Sequence, residues 1–474
     1  MFDSGSISAP VFLRLLGEWR QSGHAYAQLA EAVRSMVGDG RLPHGIRIPA
    51  ERELARHAGI SRNTVSAAYN LLRAEGYVMS IRGAGTYIMA PQAAMDRVTS
   101  WAPPTASPGV IDLVLAAMPA LEPLLSEVAT EAIGDLPKYS SEHGYGMLGL
   151  TELRDMVANC YRDRGLPTSA ANIMITSGVH HAWGLLLRLL TSRNGHVLME
   201  NPAYPNAIDA VLAVGRRPVG VGMSPYGWDI ELLATVFREV KTQLALLTPE
   251  FQNPTGHLMP DSVREAITAM SLDAPIVVDE SFIGLALDEP LTPQPSPMAA
   301  FGGAVISMGS MSKVFWGGLR IGWIRADRKI IARLVTLRSA IDSGNPVIDQ
   351  LVALRVLDRQ AEVLRMRRTM LLEQRAIAVR ALQQWLPEAR FTLPSGGLSL
   401  WVDLGLPVST RMSTLASEHR VQIVSGKRFS VDGTHERFIR IPYVLSGAKL
   451  YEGIRRAAAA YREALDPQRG TRTE

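Results

Sequence analysis

The sequence contains a single cysteine, Cys160, among 474 residues. A lone cysteine excludes a fold stabilised by intrachain disulfide bonds. No uninterrupted apolar run reaches the roughly 18 residues that a membrane-spanning helix needs. The first ten residues also lack the basic and apolar regions of a secretory signal. These absences predict a soluble, cytoplasmic protein that does not act at a membrane.

Lysine is also scarce, because only six of the 49 basic residues are lysine and the others are arginine. A lysine in a chemically suggestive context is therefore easy to single out. With 47% hydrophobic and 20% charged residues, the composition is that of an ordinary globular protein. Residues 1–100 carry 11 arginines against 8 acidic residues. This local excess of positive charge favours an acidic partner for the N-terminal part.

The pattern along the chain changes at about residue 91. Between residues 91 and 111 the apolar periodicity fades, and four prolines interrupt a stretch rich in alanine, serine and threonine. Such a stretch is typical of an extended linker. We therefore expect an N-terminal domain over residues 12–90, a linker over residues 91–111 and a large C-terminal domain over residues 112–465.

The N-terminal segment predicts three helices followed by a hairpin. The first helix is expected to bury a face made of Tyr26, Leu29, Val33 and Met36. Pro49 is expected to open the second helix, and Ser61 to cap the third. The third helix is expected to bury Val65, Ala68, Tyr69 and Leu72. This order is that of a winged helix-turn-helix, whose third helix reads the major groove of DNA; a small helical domain with solvated arginines is the alternative.

Two stretches carry a specific resemblance. "IPAERELARHAGISRNTVSAAYNLLRAEGY", followed by "RGAGTY", resembles the DNA-binding domain of the GntR family over about residues 24–90. Ala50 is a departure, since a serine is common there in the family. The resemblance implies a domain that binds double-stranded operator DNA. The residues that it implies to contact DNA are Arg52, Arg62, Asn63, Thr64, Arg82 and Gly83.

Beyond residue 112, apolar runs typical of buried strands alternate with helical patterns. The runs are residues 173–176, 197–200, 244–248, 276–279 and 305–308. This alternation predicts an α/β fold, with a mostly parallel sheet and helices on both faces. Ligands of such folds bind at the carboxyl ends of the strands. The polar residues of interest follow the runs and are expected at that edge.

Each of these polar residues has an ordinary structural role in most proteins, but together they can hold an aromatic aldehyde phosphate. Lys313 can form a Schiff base, and Asp279 can keep a pyridine nitrogen protonated. Asn253 can hydrogen-bond a phenolic oxygen, and Tyr204 can stack on the ring. The expected phosphate ligands are Ser310, Ser312, Arg320 and the backbone at Gly178, Val179 and His180.

The motifs "NPTG", "VVDESF" and "SMSKVFWGGLRIGW", in this order, resemble the class I aminotransferases of fold type I over about residues 112–460. The resemblance implies pyridoxal 5'-phosphate as cofactor and a smaller C-terminal α+β subdomain. It implies that Lys313 is the catalytic lysine of an internal aldimine and that Asp279 is the catalytic carboxylate beside the pyridinium. Arg440, in "RFIRIPY", is implied to clamp a substrate carboxylate. Tyr139 is implied to reach the neighbouring subunit's phosphate, and hence a homodimer with shared sites.

Two residues depart from the aminotransferase pattern. Phe282 stands where many of these enzymes have a tyrosine that hydrogen-bonds the phenolic oxygen, which weakens the case for catalytic turnover. His180 stands where a glutamine is frequent. His180 and His181 are adjacent, and adjacent side chains on a helix point about 100° apart. We therefore predict no metal site at this pair.

A GntR-type domain linked to an aminotransferase-like domain is the organisation of the MocR regulators. The segments "LLGEWR" and "NPAYPNAIDA" resemble the YczR-like members of that family. The resemblance implies a transcriptional regulator that senses pyridoxal phosphate, an amino compound or both through an aldimine at Lys313. The alternative is a functional aminotransferase, acting on amino acids and 2-oxo acids, with an accessory DNA-binding domain. A purely structural protein would leave Lys313, Asp279 and Arg440 without a role.

Overall fold

The structure of the chain is a computed structural model. The structure describes residues 6–16, 19, 24–38, 42, 46–81, 83–89, 109–270, 274–288 and 295–466. Arg82 and residues 91–108 of the expected linker lie outside this set. No helix within these ranges is long and apolar enough to cross a membrane.

The N-terminal part packs four helices against a small antiparallel sheet. The helices, α1 to α4, are Ala9–Leu16, Ala25–Gly38, Glu51–Ala58 and Arg62–Ala74. The strands, β1 to β3, are Arg47–Ile48, Val78–Ile81 and Gly85–Ile88. Their order is β1-β3-β2, so the hairpin β2-β3 forms the wing. This is the predicted winged helix-turn-helix, to which α1 and β1 are additions.

The recognition helix α4 begins as the sequence predicts. The side chain of Ser61 accepts a hydrogen bond from the backbone N–H of Thr64 at 3.0 Å. The residues expected on its inner face are all buried, namely Val65, Ala68, Tyr69 and Leu72. The expectation that Pro49 opens the second helix is wrong, because α3 begins at Glu51. Instead, the carbonyl of Pro49 accepts a hydrogen bond from the Tyr69 hydroxyl at 2.9 Å, which ties α4 to the segment before α3.

An eight-stranded mixed sheet forms the centre of the C-terminal part. Its strands, β5 to β12, are Ile173–Thr176, His196–Asn201, Arg217–Ser224, Gly227–Trp228, Thr242–Leu247, Ile276–Asp279, Val305–Ser310 and Gly322–Arg325. Their order is β5-β12-β11-β10-β9-β6-β7-β8. Strand β12 runs antiparallel to both neighbours and β8 runs antiparallel to β7, whereas the remaining pairs are parallel. All five predicted runs fall on strands of this sheet, although the run 244–248 extends one residue past the end of β9.

Helices cover both faces of the sheet, because successive residues of a strand point to opposite faces. Val277 packs into the core of one face, whereas its neighbours Ile276 and Val278 pack into the other. The first face is covered by α7, α8 and α11, which are Val179–Leu190, Pro205–Ala213 and Arg328–Arg338. The second is covered by α5, α6, α9, α10 and α12, which are Leu124–Asp135, Thr151–Asp163, Ile230–Glu239, Asp261–Thr268 and Val347–Asp358.

A smaller α+β subdomain follows, as predicted. Its helices, α13 to α15, are Gln360–Trp385, Ser409–Ala416 and Gly447–Ala464. Strands β13, β15 and β16, which are Ser399–Asp403, Val424–Ser425 and Phe438–Pro442, form an antiparallel sheet in the order β13-β16-β15. Strand β14, Val421–Gln422, pairs with β4, Ile111–Asp112. That pairing joins the subdomain to the beginning of the C-terminal part.

Candidate cofactor site and nucleic-acid interface

Side chains from the carboxyl ends of β9, β10 and β11 and from the beginnings of α7 and α8 meet around one cavity, which we call the cofactor cavity. Its volume is about 140 Å³. The predicted residues that line it are Val179, His180, Tyr204, Asn253, Asp279, Ser310, Ser312, Lys313 and Arg320. Open α/β sheets bind their ligands at this edge. The sequence therefore identified residues that are far apart in the chain but close in space.

Lys313 follows β11 and faces into the cofactor cavity. Its amine donates a hydrogen bond to the backbone carbonyl of Ala116 at 2.9 Å. The surroundings lower the pKa of Lys313 to about 8, mainly through burial and then through the charge of Arg440, against the attraction of Asp279. Only about a fifth of an amine with this pKa is neutral near physiological pH, but that is far more than for an ordinary lysine, and the neutral amine is the nucleophile.

Asp279 ends β10, beside Lys313 in the cofactor cavity. Its carboxylate accepts a hydrogen bond from the backbone N–H of Ser281 at 2.9 Å. Burial raises the pKa of Asp279, and the hydrogen bonds of Ser281 and the charge of Lys313 only partly oppose this. A buried carboxylate of this kind is stabilised by a cationic N–H placed against it. A protonated pyridine nitrogen is such a group.

Arg440 lies on β16 and does not itself line the cofactor cavity, but it contacts Asn253, which does. It donates one hydrogen bond to the side-chain oxygen of Asn253 at 3.3 Å and another to the carbonyl of Val114. Its guanidinium carbon lies 4.9 Å from the ring centroid of Phe429. Burial lowers the pKa of Arg440 to about 10, and its Nε has no hydrogen-bond partner among the described residues. A buried guanidinium with an unpaired N–H is suited to a ligand carboxylate.

One end of the cofactor cavity has the groups of an anion site. Helix α7 begins after Gly178, whose φ is 92°. A Cβ atom at Gly178 would lie 2.8 Å from a terminal nitrogen of Arg320, so glycine lets this guanidinium approach the helix end. The hydroxyl of Ser310 donates to that of Ser312 at 2.9 Å. Helix N–H groups, two hydroxyls and a guanidinium together suit a phosphate.

Several residues of the cofactor cavity were not predicted. Trp183, Thr248 and Ser281 line it, and the carbonyl of Ala116 holds the Lys313 amine. Trp183 has the helical spacing of a core residue, so its pattern carries no sign of a ligand. Ser281 lies two residues after Asp279 in "VVDESF", which is the spacing at which an aspartate side chain often accepts a hydrogen bond from a backbone N–H.

Three other residues singled out in the sequence differ in where they lie relative to the cofactor cavity. Phe282 lines the cofactor cavity. His181 accepts a hydrogen bond from the backbone N–H of Ser177 and lies 3.1 Å from the Asp342 carboxylate, so its ring is engaged in local structure. Tyr139 follows α5 and does not line the cofactor cavity of its own chain.

The predicted DNA-contacting residues that the structure describes lie at the surface of the N-terminal part. Arg62 and Asn63 are exposed in the first turn of α4, and Thr64 beside them is partly exposed. Arg52 is exposed on α3. Gly83 is exposed in the wing, where its φ of 81° favours glycine. Arg82 was also predicted to contact DNA, and it lies outside the described residues.

Two families match the chain. Residues 25–88 match "Bacterial regulatory proteins, gntR family", and residues 108–456 match "Aminotransferase class I and II". The uncharacterized HTH-type transcriptional regulator YdfD of Bacillus subtilis is 28% identical over 90% of the chain and 94% of its own length. The 2-aminoadipate transaminase of Thermus thermophilus is 29% identical over 76% of the chain and 92% of its own length.

A solved structure is also similar. It is the alpha-aminoadipate aminotransferase LysN of Thermus thermophilus, complexed with N-(5'-phosphopyridoxyl)-L-leucine. It superposes with a TM-score of 0.69 at 27% identity, over 76% of the chain and 93% of its own length. These matches confirm the fold class and the domain organisation of a MocR-type regulator. The chain belongs to the aminotransferase class I and II family and carries a gntR-family DNA-binding domain at its N-terminus.

Proposed function

We propose that the chain is a transcriptional regulator that binds pyridoxal phosphate at Lys313 and changes its affinity for operator DNA in response to this cofactor, an amino compound or both. The observation that carries the proposal is a cavity lined by Lys313 and Asp279 in a chain that also has a winged helix-turn-helix. The match to the regulator YdfD spans 90% of the chain. We place the two domains at residues 12–90 and 112–465, joined by the linker 91–111.

The residues of the cofactor cavity fit pyridoxal phosphate. When bound, this cofactor supplies an aldehyde that a lysine can hold covalently and a ring that accepts electrons. Lys313 then holds the aldehyde carbon, and Asp279 pairs with the ring nitrogen. Because Arg440 already occupies the side-chain oxygen of Asn253, the amide N–H groups of Asn253 are left to donate to the ring oxygen. Tyr204 packs against the ring.

The phosphate of the cofactor is assigned to the anion site at the end of α7. Its ligands in this proposal are Ser310, Ser312, Arg320 and the backbone of Gly178, Val179 and His180. We further propose a homodimer in which Tyr139 completes the phosphate site of the partner subunit. This assignment comes from the resemblance to the aminotransferases, and Tyr139 does not line the cofactor cavity of its own chain.

An active transaminase is the second candidate. The similarity to the 2-aminoadipate transaminase and the presence of Lys313, Asp279 and Arg440 favour it. Phe282 counts against efficient turnover, because a phenyl ring cannot donate a hydrogen bond to the ring oxygen of the cofactor. Absorbance changes of the cofactor-loaded chain with amino acids, measured together with gel shifts on its own promoter region, separate the two. Promoter binding with slow or absent turnover supports the regulator, whereas rapid turnover without DNA binding would refute it.

Replacing Arg440 by alanine is expected to remove the preference for amino acids over simple amines. The guanidinium gives a carboxylate two charge-assisted hydrogen bonds, and their loss should weaken L-alanine binding by about tenfold to a hundredfold. Ethylamine, which lacks the carboxylate, should bind wild type and variant alike. The measurement is the spectral titration of the cofactor-loaded chain with both compounds. An unchanged ratio of the two affinities would contradict the assignment of Arg440.

A further inference from the structure

A second cavity, which we call the back cavity, lies against the loop that carries Lys313. Its volume is about 90 Å³, so it can hold only a small molecule. The loop 310–315 is the wall between the two cavities. Met311, Val314 and Phe315 line the back cavity, whereas Ser312 and Lys313 line the cofactor cavity. Anything that displaces the first three side chains therefore acts on the segment that carries Lys313.

The back cavity has apolar walls and a buried acceptor. Val356 from α12 and Val363 from α13 contribute to the apolar walls. Glu280 also lines it and is only 3% exposed. One oxygen of Glu280 accepts a hydrogen bond from the Tyr161 hydroxyl at 2.8 Å, but the other is buried and has no partner in the described part of the chain. A buried acceptor of this kind favours a bound donor.

The surrounding charges already balance. Arg164 lies 3.5 Å from the carboxylates of both Glu280 and Glu250. Arg264 donates to Glu250 at 2.7 Å. Two guanidiniums thus face two carboxylates, so an additional ion would leave an unpaired buried charge. The donor that fits is neutral, such as a hydroxyl or an amide N–H.

The loop is anchored on both sides of Lys313. The Lys313 amine is bonded to the carbonyl of Ala116. Arg367 of α13, which is buried, donates to the carbonyls of Val314 and Phe315. A ligand that moves the backbone of Val314 and Phe315 must alter these bonds, because the backbone carbonyls are the acceptors.

We propose that the back cavity binds a small, neutral, largely apolar molecule whose hydroxyl or amide group donates to Glu280, and that its occupancy changes cofactor affinity at Lys313. The binding of this molecule concerns the back cavity alone, whereas its effect on cofactor affinity rests on the proposed function. Ser281 and Ser310 line both cavities, whereas Lys313 lines only the cofactor cavity.

Cys160 makes the site measurable, since it lines the back cavity and is the single cysteine of the sequence. The probe is p-cresol, and toluene is the matched compound without the donor. At ten times its dissociation constant, p-cresol should slow the alkylation of Cys160 by N-ethylmaleimide about tenfold, because only the free protein reacts. Toluene should protect much less at the same concentration. Intact mass gives the rate without any cofactor present.

A variant in which a larger side chain fills the back cavity provides the control. Val356→Phe places a larger side chain in the cavity and should abolish the protection, whereas Ile348→Phe, at an exposed position of the same helix, should keep it. The absence of protection in wild type, meaning that the cavity holds water only, would overturn the site, as would equal protection in Val356→Phe. Equal protection by toluene would overturn the role of Glu280.

The coupling is measured by titrating the wild-type chain with pyridoxal phosphate in the presence and absence of p-cresol. We expect a change in cofactor affinity of about fivefold or more, the usual lower range of coupling between sites. Protection of Cys160 with an unchanged cofactor affinity would overturn the coupling and leave the site standing. A chain that binds no cofactor at all would refute the proposed function without altering the alkylation result.

Discussion

Replacing Lys313 by alanine is expected to abolish covalent attachment of pyridoxal phosphate. Wild type should incorporate about one equivalent per chain after borohydride reduction, and the variant none, because Lys313 is the only lysine among the described residues that line the cofactor cavity. Lys313→Arg should behave like the alanine variant, since a guanidinium keeps the positive charge but does not attack an aldehyde at neutral pH. Peptide mass spectrometry after reduction is the measurement.

The matched control is Lys329→Ala. Lys329 is exposed on α11, so its removal should leave the incorporation at about one equivalent. Attachment spread over several of the six lysines, with Lys313→Ala still labelled as strongly as wild type, would contradict the assignment. Loss of labelling in Lys313→Ala alone distinguishes a built site from general reaction of aldehydes with surface amines.

The pKa of the Lys313 amine predicts how the rate of cofactor attachment depends on pH. Because the protein lowers the pKa of Lys313 to about 8, the neutral fraction rises steeply between neutral pH and that value. The rate of cofactor attachment should therefore increase with pH and level off above about 8, whereas a lysine of ordinary pKa would still gain reactivity up to about 10. A stopped-flow series of attachment rates against pH tests this. An attachment rate that keeps rising past pH 9 would mean that burial does not lower the pKa of Lys313.

Replacing Arg62 by alanine is expected to weaken promoter binding by about tenfold to a hundredfold. Arg62 is exposed in the first turn of α4, where a recognition helix meets the major groove. If it contacts a phosphate, the slope of log affinity against log salt should also fall by about one. Fluorescence anisotropy with DNA from the promoter region beside the gene, over a range of salt concentrations, measures both.

Arg73→Ala is the control on the same helix. Arg73 lies in the last turn of α4, about 16 Å along the helix from Arg62, and donates to the hydroxyl of Ser80 in the wing. Its loss should weaken promoter binding much less than the loss of Arg62, because the pairing of β2 with β3 and the contact between the Ser80 and Thr86 hydroxyls still hold the wing. If both variants weaken binding equally, the first turn of α4 is not the reading surface and the docking geometry is different.

The sequence predicted the chemical groups of the site well, because they lie in short motifs that follow apolar runs. Asp279 is the last residue of β10 and Lys313 follows the end of β11 by three residues, and a hydrophobic run identifies each of these strands. The carboxyl ends of parallel strands lie at one edge, so the convergence could be expected before any coordinates. Ser61 was predictable for the same local reason, since capping depends on residues three positions apart.

Contacts that depend on distant parts of the chain were not predictable. Ala116 lies 197 residues from Lys313, and nothing in its sequence marks its carbonyl as the acceptor for that amine. Strand β12 was missed because its four residues, Gly322–Arg325, include a glycine and an arginine and resemble a loop. The prediction that Pro49 opens the second helix was wrong. Pro49 precedes α3, and its carbonyl accepts a hydrogen bond from the Tyr69 hydroxyl, a tertiary contact that local propensity cannot reveal.

The regulatory account depends on communication between two parts of one chain. A cofactor changes DNA affinity only if it binds the two arrangements of the chain with different affinity. A winged helix-turn-helix alone explains DNA binding, and a lysine cavity alone explains cofactor binding. Their presence in one chain makes the coupling between them the decisive property.

Promoter affinity as a function of pyridoxal phosphate concentration, in wild type and in Lys313→Ala, tests that coupling most directly. The account predicts a change of about fivefold or more for wild type, saturating together with covalent attachment, and no change for the variant. Identical promoter affinity with and without the cofactor in a fully labelled wild-type chain would contradict it.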